Sequence, residues 1–243
     1  MLMKTQPEIG KDRPVSATAV FDYLGARRVG HFEGRGGDLF AATDLGHASQ
    51  HFEPEQRLYA RGASSGCAYI IASGLMRFER MTASGSRRII RIAGYGDLIG
   101  QEALLRQAYR DDAVACTPLT LRRVSASLLD DADGQAGRLS IALMRRWQDT
   151  LDEAEFWSTE MATGSSRRRV LQLLAHLHRH RDSSGLIWLP KREQMGDMLN
   201  MTVETCSRVL SALRRAGVLD LVPPRHAHLN EALLGQAVIE SNH

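Results

Sequence analysis

The chain holds only three cysteines in 243 residues, Cys67, Cys116 and Cys206, and they lie far apart. An odd and scattered set argues against a disulfide framework and fits a reducing, cytoplasmic setting. No apolar run approaches the roughly 20 residues that cross a bilayer, so no membrane partner is expected. The segment Met1 to Val15 is polar, carries Pro7 and Pro14, and lacks the apolar stretch of a secretory signal. A nucleophile motif, a glycine-rich phosphate loop and a metal-ligand spacing are also missing, so catalysis is not expected and no metal site is assigned. The net charge of +3 is too small by itself to indicate nucleic acid.

The placement of charge says more. Arg167, Arg168 and Arg169 form one basic cluster, and Arg208, Arg214 and Arg215 form another. Local patches of this kind can contact phosphate in a nearly neutral protein. Residues 1–30 read as an arm with a short helix near Ala17 to Gly25. From Gln50 to Ser127 the chain becomes short mixed runs, with strands expected at Cys67–Ile71, Leu75–Arg80 and Arg87–Ile92. The separators Ser73-Gly74, Ser84-Gly85 and Gly94-Tyr95-Gly96 are turn signals at even spacing, which indicates an antiparallel sandwich or barrel.

Ala132 to Met161 then switches to helical spacing. Leu143, Trp147, Thr150, Ala154, Trp157 and Met161 form a heptad seam along one long helix. A helix without an obvious partner in its own chain is most simply paired with its copy, giving a homodimer. Thr163 to Ser166 break the pattern. A helix (Arg168 to Arg179), a short strand (Leu186 to Leu189) and two closely spaced helices follow.

Leu189 to Leu219 carries the strongest signal. Pro190 suits a helix entry, and Asn200 suits the left-handed residue of a tight turn. Gly196 lacks a Cβ where a second helix would cross closely. Thr202 can cap the second helix, which ends at Ala216-Gly217. On that helix Glu204, Ser207, Arg208, Ser211 and Arg215 share a polar stripe about 100° wide, opposite Cys206, Leu210 and Leu213. Acid, hydroxyl and guanidinium groups on one stripe can read base edges in double-stranded DNA, with Glu204, Ser207 and Arg208 on the bases. Thr202, Ser211, Arg214 and Arg215 are assigned to the phosphate backbone.

The stretch Thr202 to Arg208, T-V-E-T-C-S-R, resembles the recognition helix of the Crp–Fnr family of bacterial regulators. The E-x-x-S-R arrangement resembles its Fnr and FixK branch, whereas the cyclic-AMP receptor branch has an arginine at the position of Val203. Gly62, Tyr69, Gly74, Gly85, Gly96 and Gly100 fall at the spacing of the family's β-roll. The resemblance covers about residues 50 to 222 and implies an α+β fold. Its parts would be a cyclic-nucleotide-binding-like β-roll (jelly roll) sensor domain at 31–131, a long dimerisation helix at 132–163, a winged helix-turn-helix at 164–230 and a tail at 231–243. Val222-Pro223-Pro224-Arg225-His226 departs from the usual basic, glycine-containing wing turn. The implied activity is transcription regulation, mainly activation through RNA polymerase, at palindromic TTGAT-type sites.

The resemblance leaves the effector open. Nucleotide binders of the family place a glutamate and an Arg-Ser pair where this chain has Gln101 and Asp111-Asp112, and an aspartate there repels phosphate. Gly100, Gln101, Glu102, Arg110, Asp111 and Asp112 thus form a degenerate pocket, although Arg110 and Glu102 could substitute after a register shift. An iron–sulfur cluster needs more cysteines than the chain has, and none precedes Cys67. Haem stays open, since His31, His47 and His51 precede the roll. His176, His178 and His180 alternate on a helix, where only His176 and His180 share a face, so a metal is not expected. Cys206 could act as a redox switch, but its face is the buried one. The expected regulator therefore carries no cofactor and is governed by its own abundance. The reading from a different class is a nucleotide-binding module that does not bind DNA.

Overall fold

A computed structural model describes residues 49–124 and 135–241; the arm, its expected helix, His31 and His47 lie outside the described residues. Among the described residues, the first unit is built of eight strands in two four-stranded sheets. Strands β1 (Gln50–Phe52), β3 (Ala68–Ser73), β6 (Leu98–Ile99) and β8 (Leu119–Val124) form one sheet in the order β1-β8-β3-β6. Strands β2 (Arg57–Tyr59), β4 (Met76–Met81), β5 (Arg87–Ala93) and β7 (Asp112–Ala115) form the other in the order β2-β7-β4-β5. All pairs within these two sheets are antiparallel. Apolar side chains from both sheets meet between them, among them Ile71, Met76, Phe78, Ile99, Leu119 and Leu121. Gly74 makes the β3–β4 turn at φ +87°, and a Cβ there would sit 2.2 Å from the Pro118 carbonyl oxygen. Glycine is thus demanded twice, by the dihedral and by the close approach.

After β6 a short 3-10 helix, Gln101–Leu105, follows the left-handed Gly100. The long helix α1, Gln135–Thr159, then crosses to the second unit. That unit comprises α2 (Ser166–His178), β9 (Leu186–Trp188), α3 (Arg192–Leu199), α4 (Val203–Arg215), β10 (Leu219–Val222), β11 (His226–Leu229) and α5 (Glu231–Ser241). Its strands pair in the order β10-β11-β9. The Ser165 hydroxyl accepts from the Arg168 amide and caps α2, as the Thr163–Ser166 break suggested. The doubtful Pro223-Pro224 segment does close a hairpin, with Val222 opposite His226.

Two expectations are corrected here. The segment assigned to a tail is mostly helix α5, which seats Leu234, Ala237 and Val238 in the same apolar core as α2 and α4. The Asn230 side chain accepts from the Leu233 amide, a helix start signal that the sequence displayed. The heptad seam on α1 is divided among three duties. Leu143 is buried against the roll, and Trp157 and Met161 are buried in the core that joins roll to second unit. Trp147, Thr150 and Ala154 line a pocket beside the roll. The large apolar side chains of the helix left exposed are Ile141, Met144, Trp147 and Leu151, of which only Trp147, at the rim of the pocket, belongs to the expected seam. The expected seam is thus mainly the side of the helix that faces its own chain, and most of the exposed apolar side chains lie beside it.

Candidate nucleic-acid interface

The segment that carries the sequence signal folds as two helices joined by a tight turn. Helix α3 buries Met195, Met198 and Leu199. It ends at Asn200, which adopts φ 52°, ψ 55° and donates its amide to the Gly196 carbonyl. A Cβ on Gly196 would lie 2.7 Å from the Met201 carbonyl oxygen, so the glycine makes room for the turn rather than for a crossing helix. The Thr202 hydroxyl accepts from the Thr205 amide at 3.2 Å and starts α4. Thr202 is therefore a helix cap as well as an assigned phosphate contact.

Helix α4 is strongly two-sided. Cys206, Leu210 and Leu213 are buried, while Thr202, Glu204, Arg208, Ser211, Arg214 and Arg215 are exposed and Ser207 is half-buried. Arg208 donates to the Thr205 hydroxyl at 3.3 Å rather than pairing with Glu204. The Glu204 carboxyl, held by its own backbone amide and by the Thr202 hydroxyl, titrates below the usual range. A carboxylate at this exposed position offers hydrogen-bond acceptors, the kind of group that can pair with a cytosine N4 donor. Cys206 is fully buried, and that burial pushes its thiol pKa up. The neutral thiol is packing material and a poor nucleophile. The other cysteines are also free and buried, and burial pushes the Cys116 thiol up to about 12.

The first basic cluster is largely spent inside the protein. Arg168 pairs with Glu160 at 2.5 Å, and Arg169 donates to the Leu199 and Asn200 carbonyl oxygens. Arg169 thus holds the turn between α3 and α4, Arg168 ties the start of α2 to the segment after α1, and Arg167 is the exposed member.

The degenerate pocket is a cleft of about 410 Å³ between roll and α1, lined by Gly100, Gln101, Glu102, Arg110 and Asp111 among others. Asp111 is paired with Arg80 at 2.6 Å. Asp112 is turned away, to the Arg61 amide and Arg57. Tyr59 and Tyr109 stack 3.7 Å apart, and a Cβ on Gly100 would come within 3.0 Å of Tyr109. His51, on β1, bonds to Thr120 at 3.2 Å. Among the described residues no group of three or more His, Cys, Asp or Glu side chains could hold a metal ion. No described helix is long and apolar enough to cross a membrane.

Sequence reasoning missed the polar joints between the two units. Arg91 of β5 pairs with Glu153 of α1 at 2.8 Å, and Arg225 of the wing pairs with Glu55 at 2.9 Å. Arg87 and Arg88 of β5 reach Asp197 and Asn200 of the reading head. His176 and His178 are buried, His178 against Glu231 at 3.0 Å. Charged residues advertise exposure, not partners, and only the tertiary fold brings these positions together.

Residues 49–132 match the family model described as a cyclic nucleotide-binding domain, and residues 168–235 match a Crp-like helix-turn-helix domain. The transcriptional activator protein FnrL of Cereibacter sphaeroides is 28% identical over 165 residues, which span 64% of this chain and 66% of that protein, just under two thirds of its length. The structure of FixK2 from Bradyrhizobium japonicum superposes with a TM-score of 0.67 at 25% identity, covering 81% of this chain and 98% of that one. A transcriptional regulator of the CRP family from Thermus thermophilus gives a TM-score of 0.65 at 26% identity, covering 78% and 96%. A cyclic nucleotide-binding domain followed by a Crp-like helix-turn-helix domain is thus present in one chain, and the chain belongs to the Crp/Fnr family of DNA-binding transcription regulators.

Proposed function

We propose that this regulator is a homodimeric activator of the Fnr/FixK type that binds a two-fold symmetric TTGAT-type site without a small effector. The observation that carries the reading is the exposed face of α4, where Glu204, Ser207 and Arg208 stand clear of the buried Cys206–Leu210–Leu213 side. Arg208 would take a guanine and Glu204 a cytosine N4, with Arg214 and Arg215 on phosphates. The stripe Ile141–Met144–Trp147–Leu151 supplies the apolar face for a second copy. A dimer would set the two α4 helices about 34 Å apart, one helical turn of DNA. Similarity to FnrL, named as an activator, supports activation and hence contact with RNA polymerase in the cytoplasm. The protein has no catalytic role in this reading.

Effector-free operation is supported by the pocket. Asp111, held by Arg80, is an anion at the place where a nucleotide phosphate would need a cation. No cofactor is therefore assigned. The test is an equilibrium titration of the purified full chain, with no ligand added, against a TTGAT-N4-ATCAA duplex and a scrambled control. Selective binding supports the reading. Binding that appears only after cyclic nucleotide is added overturns the effector-free part, and equal binding to both duplexes overturns the site assignment.

A further inference from the structure

The reading head is gripped from the roll as well as from its own unit. Arg88 Nη1 donates to Asn200 Oδ1 at 2.7 Å, and Arg87 donates to Asp197 at 3.2 Å. Both donors lie at the start of β5, and both acceptors lie at the end of α3 and in its turn. Asn200 is the left-handed residue that sets the angle between α3 and α4. Its carbonyl and that of Leu199 are already held by Arg169 from α2. The turn therefore has its backbone fixed from one side and its side chain fixed from the other. Further along β5, Ile90 and Arg91 line the pocket, and Arg91 also pairs with Glu153 of α1. One seven-residue strand thus touches the pocket, the long helix and the reading head.

We propose that Arg88, seconded by Arg87, is a positioning residue for DNA reading. Its bond to Asn200 sets the pitch of α4 relative to the roll, so the roll orients the reading helix directly through β5. This rests on the assignment of α4 as the reading helix. Two such helices in a dimer must meet successive major grooves, so a small pivot at either head misaligns both half-sites. Arg88 acts through Asn200 and does not itself touch DNA. The bond is exposed, so its loss is read in recognition rather than in folding.

The experiment uses the full chain and an operator that the wild-type protein itself selects from random duplexes. Arg88→Ala removes the donor. Asn200→Gly removes the acceptor while keeping a residue that accepts positive φ. Dissociation constants are measured for both variants and their combination across a salt series, with unfolding midpoints alongside. Each single variant is expected to weaken operator binding roughly threefold to tenfold, with non-specific binding and salt slope unchanged. The double variant is expected to be no weaker than either single one, and Arg88→Lys to recover part of the loss. Additive losses overturn the coupling. A salt slope reduced by about one for Arg88→Ala makes Arg88 a phosphate contact instead. Tighter binding makes the bond a brake, and a matching fall in unfolding midpoint makes it merely structural; each overturns the proposal. A wild-type protein that selects no sequence overturns the reading-helix assignment, and the proposal falls with it.

Discussion

Glu153 Oε1 lies 3.6 Å from His176 Nε2 in the core where α1 meets α2, and neither ring nitrogen of His176 makes a hydrogen bond. Phe156 and Trp157 pack their rings on the imidazole, at centroid separations of 5.8 and 5.6 Å. Burial, reinforced by the positive charge of Arg179, His180 and Arg91, holds the imidazole pKa well below its usual value. Burial also raises the Glu153 carboxyl, against the pull of Arg91.

Stability should therefore fall as the solution is acidified through the histidine range. The folded pKa of His176 is depressed, so the unfolded chain takes the proton first, from about pH 6.5 downward. The contribution of a neutral His176 is present above that pH and lost below it. Glu153 has the opposite sign, because its raised folded pKa favours the folded state in acid. Because Glu153 lies 3.6 Å from His176, the comparison of wild type with His176→Phe reads the pair as a unit, and the depressed histidine sets the sign of the difference between pH 8 and pH 5. Unfolding midpoints for wild type and His176→Phe between pH 8 and pH 5 should show a steeper acid loss in wild type. Parallel curves would assign the loss to other groups.

Arg208 and Arg215 should fail differently. Arg208→Ala is expected to cost about 1–3 kcal/mol at one base pair and relax discrimination there. Arg215→Ala should weaken binding to all sequences and lower the salt slope by about one. Competition with single-base-substituted operators checks the first and a salt titration the second. An Arg208→Ala protein with intact discrimination would show that another part of α4 reads the bases.

Cys206 should be inert while the protein is folded. A fully buried thiol with a raised pKa offers little thiolate. Alkylation followed by mass spectrometry should leave it unmodified until denaturant is added, and mild oxidant should leave operator binding unchanged. Rapid labelling of native protein, with loss of binding, would restore a redox role.

The divided seam separates association from folding. Leu151→Glu, on the exposed stripe, should yield monomers that keep the wild-type unfolding cooperativity. Met161→Ala, in the shared core, should cost about 2–5 kcal/mol of stability. Sedimentation together with denaturant titration distinguishes the two. A Leu151→Glu protein that remains a dimer would place the association face elsewhere.

What the sequence made legible was what local geometry dictates. Gly74 and Gly85 mark the turns that bound β4, and Asn200 takes the left-handed conformation assigned to it. Strands expected at Leu75–Arg80 and Arg87–Ile92 occur at Met76–Met81 and Arg87–Ala93, a shift of about one residue at most ends. The phase of the α1 seam was not legible, because an apolar side chain that packs on the roll and one that stays exposed look alike in sequence. Nor were the partners of Arg87, Arg88, Arg91 and Arg169, since their acceptors are contributed by distant segments. Helix α5 was legible and missed: Asn230 before Glu231, then Leu234, Ala237 and Val238, is a cap followed by an apolar face.

The position of α5 has a consequence for how the protein is made. Leu234, Ala237 and Val238 fill the core against which α2 and α4 lie, and α5 leaves the ribosome after every other element described. A nascent chain paused after β11 would carry the complete reading face on a head whose interior is still open. A chain that stops after β11 is therefore expected to expose that interior and to be cut more readily by proteases than one that includes α5.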